Sequence, residues 1–329
     1  MNTPDAAAEP IRRPVVVLGA GGYIGRQVVA ALAASSWAVP VAVGRRIQNS
    51  VFDVGVRRVA ADATNEAVLE PLLADAVGVV SCIAGDAGDI VRGGQALLNV
   101  AARMDSAPRI VYLSSIAAYG AGTGIVDEDS PLRGDLGDYS ASKALVDQMA
   151  AVYPFVVRLR PGIVYGPGSP WWTDRIGRLL VARRLGDLGA AGEGRCNLVH
   201  IDDVVAAILK ALQLPEATNA AFNLGSPVVP TWNEYFARYA QALGAAPVRR
   251  IGRAQLAIEL NLAGPLLKIR EKLTGSEAVP AIRPWLTTLC RHAIQMRVER
   301  AQSVLGMQWK PLGEGIGQCA EWFRSVCRL

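Results

Sequence analysis

Tyr139-Ser140-Ala141-Ser142-Lys143 opens a helical pattern and sets a phenol and an ammonium four residues apart. On a helix that spacing puts both side chains on one face, one turn apart. A phenol of ordinary pKa, ~10, is a poor acid or base at neutral pH; a neighbouring ammonium favours the phenolate and draws the pKa towards the working range. Arg109 to Ser114 reads as a strand with Ile110 to Leu113 as its buried part, and it ends in Ser114-Ser115, so a hydroxyl stands at a strand end. Together Ser115, Tyr139 and Lys143 make a proton-relay site beside a hydride carrier. A helical Tyr–Lys pair alone is commonly an amphipathic surface pair, so the reading depends on what surrounds it.

The N-terminal part of the chain supplies that setting. Val15 to Leu18 is an apolar run, Gly19-Ala20-Gly21-Gly22-Tyr23-Ile24-Gly25 a glycine cluster, and Arg26 to Ala34 a helical pattern. In this order they predict a strand, a tight turn and a helix whose first N–H groups lack intrahelical partners, which is an anion site. Gly19 lets the chain turn sharply, Gly22 lets backbone approach a pyrophosphate, and Gly25 lets the helix pack close on the sheet. Tyr23 and Ile24 belong to the same expected cofactor contact. The spacing is G-x-x-G-x-x-G, and the standard dinucleotide fingerprint is not met because Ile24 occupies its sixth position. No Gly-Lys-Ser/Thr follows, which excludes a P-loop.

Ala38 to Val43 reads as a second buried strand, completing a βαβ unit. The end of that strand meets the adenine ribose of a bound dinucleotide, about twenty residues past the glycines. Here it reads Gly44-Arg45-Arg46. An acidic residue would accept from the 2′-hydroxyl of NAD(H), whereas Arg45 and Arg46 offer forks of donors to a 2′-phosphate. The expected cofactor is NADP(H), with NAD(H) as the alternative. Arg58 to Thr64 reads as a third strand ending in Asp62, and Glu66 to Ala74 as its helix. Val77 to Ala84 is a fourth strand, whose small residues at Ala84-Gly85 let a cofactor lie across its end. Asp89 to Met104 has helical periodicity. Such alternation gives a parallel sheet covered on both faces.

Composition limits the partners. A net charge of +5 is spread over 329 residues as isolated basic pairs, with no basic block or aromatic interleaving, so no nucleic-acid partner is expected. Five cysteines with no C-x-x-C spacing argue against both a disulfide framework and a metal site. Met1 to Pro14 has no apolar core of a signal peptide, and no stretch reaches about 18 uncharged apolar residues. A cytoplasmic protein without a spanning segment is the expectation.

The glycine turn, Ser115 and the Tyr139/Lys143 pair together resemble the extended short-chain dehydrogenase/reductases, the NAD(P)-dependent epimerase/dehydratase family. The resemblance extends through Val157 to Gly168, Leu198 to Val204, Ala221 to Gly225 and Arg297 to Pro311. It implies an α/β fold: a Rossmann-type doubly wound parallel sheet from 15–165 and about 196–225, after a flexible tail over 1–14. A smaller, mostly helical substrate lobe would take 166–195 and 226–329. Carried over residue by residue, it implies Gly19, Gly22 and Gly25 at the pyrophosphate, Asp62 at the adenine, Tyr139 as acid/base and Lys143 as its activator. Ser115, four residues before Tyr119 of the Tyr-Gly pair, would meet the substrate oxygen. A homodimer through helices near 90–104 and 139–152 is also implied.

Departures from the family pattern narrow the branch. Ile116-Ala117 stand where the resemblance places the Asp-Glu of sugar-nucleotide dehydratases, and Cys196 where it places a diphosphate-binding arginine of epimerases. Pro230 to Phe236, Ala242 to Gly244 and apolar Leu256 to Ile269 resemble the hydroxysteroid-dehydrogenase-like reductases, suiting a hydrophobic carbonyl or secondary alcohol as small-molecule substrate. Tyr119, Trp171 and Trp172 are candidates to line its pocket, with ordinary packing as the other reading. Residues 251–273 read as a packed lid, with peripheral membrane contact as the alternative. His200 reads as a structural residue, His292 as a surface residue, and Asp203 as a brace for a helix over 204–212. The expected activity is NADP(H)-dependent oxidoreduction; a nucleotide-sugar epimerase and a non-enzymatic dinucleotide sensor are the alternatives.

Overall fold

A strand covered by helices on both sides has no polar face, and β1 (Arg13–Leu18) is of that kind: Val15, Val16, Val17 and Leu18 are all buried. The computed structural model describes residues 12–327 apart from 51, 53, 54, 260 and 262–281. In it β1 pairs in parallel with β2 (Ala38–Gly44) on one side and β4 (Gly78–Ser81) on the other. β3 (Arg57–Ala60) flanks β2 as a mostly exposed edge, and β5 (Arg109–Leu113) flanks β4. With β7 (Val156–Pro161) and β10 (Ala221–Leu224) the order is β3-β2-β1-β4-β5-β7-β10. The order reverses at β1, whose carboxyl end is therefore the topological switch point where open α/β sheets bind ligands.

The chain groups into two units. One runs to Leu113 and adds Leu145–Arg158 and Ile208–Ala220; the other holds Ser114–Ala144, Leu159–Ala207 and everything from Ala221 onward. In the first unit α1 (Tyr23–Ala34), α2 (Glu66–Ala74) and α3 (Ala87–Ala102) follow β1, β3 and β4 in turn. Gly94 of α3 lies so near Val146 that a Cβ there would sit 2.5 Å from its methyl carbon. The helix α4 (Asp138–Ala150), which carries Val146, thus packs on α3 at close range.

The second unit has its own core. Thr231 and Glu234 form a reciprocal cap at the start of α7 (Trp232–Ala242), whose Trp232, Tyr235, Phe236 and Tyr239 are fully buried. They pack with Leu179 and Leu180 of α5 (Arg175–Val181) and with Cys319 and Phe323 of the C-terminal helix, Leu312–Cys327. Two small parallel ladders join this unit: β6 (Gly124–Val126) with Ile294–Met296, and β8 (Ile163–Tyr165) with β9 (Leu198–His200). Of the expected lid, 251–259 and 261 are described; Leu256 joins the core and Glu259 pairs with Arg184, while the rest lies outside the described residues. Among the described residues no helix is long and apolar enough to cross a membrane, and no group of His, Cys, Asp or Glu is placed to hold a metal.

Candidate active site

The glycine turn follows β1 as its sequence requires. Gly19 adopts φ +75°, and a Cβ there would lie 2.8 Å from the Cys82 carbonyl oxygen. A Cβ on Gly25 would fall 2.4 Å from the Gly19 carbonyl oxygen, which no side chain could tolerate. Gly22 caps α1, and among the described residues neither a side-chain cap nor an acidic residue serves its first turn. An N-terminus left in that condition, with exposed Gly21 and Gly22 beside it, fits a pyrophosphate.

The backbone N–H groups of Gly19 and Ala20 both donate to the Val43 carbonyl at 3.1 Å, which fixes the end of β2 beside the turn. Arg45 and Arg46 project from there, both exposed. Arg45 pairs with Asp89 at 3.0 Å, and Asp89 pairs with Arg92 at 2.6 Å. Asp62 lies past the end of β3 and accepts from both the N–H and the hydroxyl of Thr64, at 3.0 and 2.9 Å. Those bonds, helped by Arg45 and Arg92, hold its carboxyl below the usual range. Ala84, beyond β4, is exposed. Sequence reading singled out Arg45, Arg46, Asp62 and Ala84 as cofactor candidates and passed over Asp89 and Arg92, whose i,i+3 spacing is that of an ordinary helical pair.

In the second unit the loop after β5 brings the proton-relay trio together. Ser115 is extended and caps the 3-10 turn Ile116–Tyr119, its Oγ accepting from Ala117 N–H at 3.1 Å. The same hydroxyl hydrogen-bonds the Tyr139 phenol. The Ser140 hydroxyl donates to the Ala117 carbonyl at 2.6 Å, pinning the first turn of α4 to the same 3-10 turn. Gly134 (φ +64°) lets the intervening loop pass against α4, where a Cβ would be 2.9 Å from Ala141 Cα. Ser140 is thus a positioning residue that sequence reading passed over, because a serine next to the tyrosine carries no signal of its own.

Lys143 is 2 % exposed, and its Nζ lies over the Tyr139 ring at 6.0 Å from the centroid. Tyr139 is 42% exposed. Desolvation raises its phenol pKa, against the Ser115 hydrogen bond that lowers it. The net shift corrects the expected lowering: desolvation outweighs the polar partners.

The aromatic candidates fare differently. Tyr119 is fully buried, donating to Asn223 Oδ1 at 2.6 Å and accepting from Arg160 at 3.0 Å. Arg160 also donates to the Glu128 carbonyl, and Glu128 accepts from Asn223 N–H. Tyr119 is therefore a structural post and not a pocket wall, its pKa pushed up to about 12 by burial. Trp172 packs on Trp232 and Trp285 at 5.6 and 5.7 Å, as lobe core. Trp171 is 44 % exposed, with the guanidinium groups of Arg175 and Arg283 over its ring at 5.5 and 5.8 Å; it remains the open aromatic of the three.

His200 is buried with its ring edge-on to Tyr165, consistent with a structural role. His292 is half-buried and bonded to the Gly120 backbone, not a surface residue. Asp203 lies inside α6 (Ile201–Gln213) and accepts from Lys310 N–H at 3.1 Å, so it braces the C-terminal strap instead of capping a helix.

Residues 15–225 match the model of the NAD dependent epimerase/dehydratase family. The chain belongs to that family. Among curated relatives, a 3-diazoavenalumate denitrifying reductase from a Streptomyces species is 31% identical over 263 residues, covering 73% of this chain and 84% of its own. A ceramide reductase from Caulobacter vibrioides is 26% identical, covering 73% and 74%. Among solved structures, UDP-glucose 4-epimerase from Thermotoga maritima superposes with a TM-score of 0.74 at 18% identity, covering 95% of this chain and 99% of that one. This family member is accordingly an enzyme with a Rossmann-type parallel sheet and a site for a nicotinamide dinucleotide.

Proposed function

We propose that the chain is an NADP(H)-dependent carbonyl reductase acting on a hydrophobic small molecule. The observation that carries this reading is the Ser115–Tyr139 hydrogen bond with Lys143 buried against the same ring. Nicotinamide, when bound, supplies the hydride. Everything else falls to side chains. The raised pKa keeps Tyr139 protonated at neutral pH, which is the form that gives a proton to a carbonyl oxygen gaining negative charge. Ser115 donates to the same oxygen and polarises it. Lys143 lends its charge to the phenolate left behind.

Elimination chemistry gains no support, since Ile116 and Ala117 offer no acid or base. Epimerisation of a nucleotide sugar gains none from Cys196, which is fully buried in the lobe core and cannot clamp a diphosphate. Three relatives are named as reductases, which supports reduction; of these the ceramide reductase is named for a lipid and the 2'-dehydrokanamycin reductase for a polar aminoglycoside. Arg45 and Arg46 stand where a residue accepting from the 2′-hydroxyl of NAD(H) would be acidic, and two guanidinium groups there support NADP(H) over NAD(H).

The test is a fluorescence titration with NADPH and NADH, followed by hydrophobic ketones and aldehydes while the absorbance of reduced nicotinamide is recorded. Preferential NADPH binding and its consumption by a carbonyl is the expected result. Binding without consumption, together with binding of a nucleoside-diphosphate sugar, would move the assignment to an epimerase.

A further inference from the structure

Asp89 is held by two cations that reach it from different elements. Arg45 comes from the end of β2, and Arg92 from the next turn of α3. The two guanidinium groups grip separate oxygens, Oδ2 at 3.0 Å and Oδ1 at 2.6 Å. Gly88 makes room for Arg92 to fold back: a Cβ there would meet its Nη1 at 2.7 Å. Asp62, another carboxylate of the cluster, feels both arginines, and its Oδ1 accepts from the N–H and the hydroxyl of Thr64. Asp86, the cap of α3, is occupied by the Asp89 N–H. Among the described residues Asp89 is the carboxylate that pairs with both forks, and its side chain is 19% exposed while those of the arginines are 64% and 62% exposed.

We infer that Arg45 and Arg92 together form the 2′-phosphate site, and that Asp89 is a built-in anion which the phosphate must displace, so Asp89 sets how strongly the enzyme discriminates NADP(H) from NAD(H). This rests on the NADP(H) reading above and adds Arg92 and Asp89 to it. A phosphate monoester presents the same oxygen geometry to a pair of guanidinium forks that a carboxylate does, with more charge. The negative charge of Asp89 repels the incoming phosphate. Because both arginines are well exposed, the pairing orders them only weakly, and repulsion outweighs any benefit of preorganisation.

The experiment measures dissociation constants of NADPH, NADH, adenosine 2′,5′-bisphosphate and 5′-AMP by fluorescence or calorimetry, without turnover. Asp89→Asn, nearly isosteric, should tighten NADPH and the bisphosphate by about tenfold and leave NADH and 5′-AMP unchanged. Arg92→Ala should weaken NADPH and the bisphosphate about tenfold, again sparing NADH, and should flatten the salt dependence of NADPH binding. Unchanged NADPH-to-NADH ratios in both variants would overturn the inference, whichever cofactor the wild type prefers. Equal wild-type affinities would overturn the NADP(H) preference alone, provided that Asp89→Asn still raises the ratio. Parallel loss of NADPH and NADH in Arg92→Ala would mark Arg92 as a fold residue and also overturn the assignment.

Discussion

The loop that carries Ser115 and Tyr139 and the cluster that carries Arg45 and Asp89 are built to opposite rules. In the first, short side chains bond backbone within one unit: Ser115 to Ala117 N–H, Ser140 to the Ala117 carbonyl, Ser142 to the Tyr139 carbonyl at 2.9 Å. Few rotors are left, and Lys143 is sealed beneath. In the second, two long exposed arginines converge on one half-buried carboxylate through charge-assisted contacts. Proton transfer demands placement to a fraction of an ångström, whereas choosing between two cofactors needs only a difference in charge. Substitutions in the first region should therefore change kcat, and those in the second should change relative affinity.

Tyr139→Phe is the severest break in that contrast. It removes the proton and keeps the ring over which Lys143 lies, so kcat should fall by about a thousandfold while the NADPH dissociation constant stays within about twofold. Turnover retained in this variant would remove Tyr139 from the chemistry. The raised phenol pKa adds a pH signature. Carbonyl reduction, which uses the phenol, should be flat across neutral pH, while alcohol oxidation, which uses the phenolate, should still be climbing above pH 8.

Gly25→Ala sharpens the comparison from the backbone side. Its new Cβ has the Gly19 oxygen and Ala20 Cα in its way, so α1 must shift from the turn. Destabilisation of about 2 kcal/mol and loss of binding for both NADPH and NADH should follow, read by thermal melting and titration. A loss restricted to one cofactor would contradict a shared pyrophosphate site.

His200 gives a third, smaller test, on stability instead of chemistry. Burial holds its pKa down to about 4, opposed by Asp202 and Glu314 and assisted by Lys310; among the described residues its Nε2 has no hydrogen-bond partner. The folded state keeps the ring neutral while the unfolded chain takes a proton below about 6.5. Stability is therefore lost as pH falls from 6.5 towards 4. Asp203 runs the other way. Its pKa is raised to about 6, so the folded state binds the extra proton and gains stability as pH falls from 6 towards 3.8. The two largely cancel in the native protein. In His200→Asn only the Asp203 slope remains, and the gap in stability between native and variant should narrow by roughly 2–3 kcal/mol between pH 7 and pH 4. A constant gap would show that His200 is not buried neutral.

How far the sequence could be read follows from where each constraint lies. Gly19 and Gly25 were legible because their cause is local: a positive φ and a close approach within six residues. Alternating apolar runs gave the parallel sheet, since burial on both faces leaves a continuous pattern. Tyr139 and Lys143 were legible because helical spacing alone makes them neighbours. Tyr119 was not, because its partners Arg160 and Asn223 are far along the chain and only the fold brings them to its hydroxyl. The phenol shift was misjudged for the same reason: the direction of a pKa depends on how much protein surrounds the group, which spacing does not reveal. Asp89 and Arg92 looked like a surface pair until β2 placed Arg45 beside them.

Ser140→Ala is the mildest test and addresses the rule itself. The hydroxyl touches no reacting atom in this assignment; it ties α4 to the Ala117 carbonyl and accepts from Leu136 N–H at 3.3 Å. Removing it costs about 1 kcal/mol of stability and leaves the half-buried Ala117 carbonyl with the Gly120 N–H as its donor. If the trio owes its competence to rigid placement, kcat should fall about tenfold with KM and the NADPH dissociation constant unchanged, because the Ser115–Tyr139 distance loosens while binding groups stay put. Ser140→Thr, which keeps a donor at the same place, should restore most of the rate. A fall in stability with kcat intact would mean that the loop holds Tyr139 by its packing and not by this bond, and the contrast between a rigid relay and an adjustable arginine cluster would then rest on Lys143 and Ser115 alone.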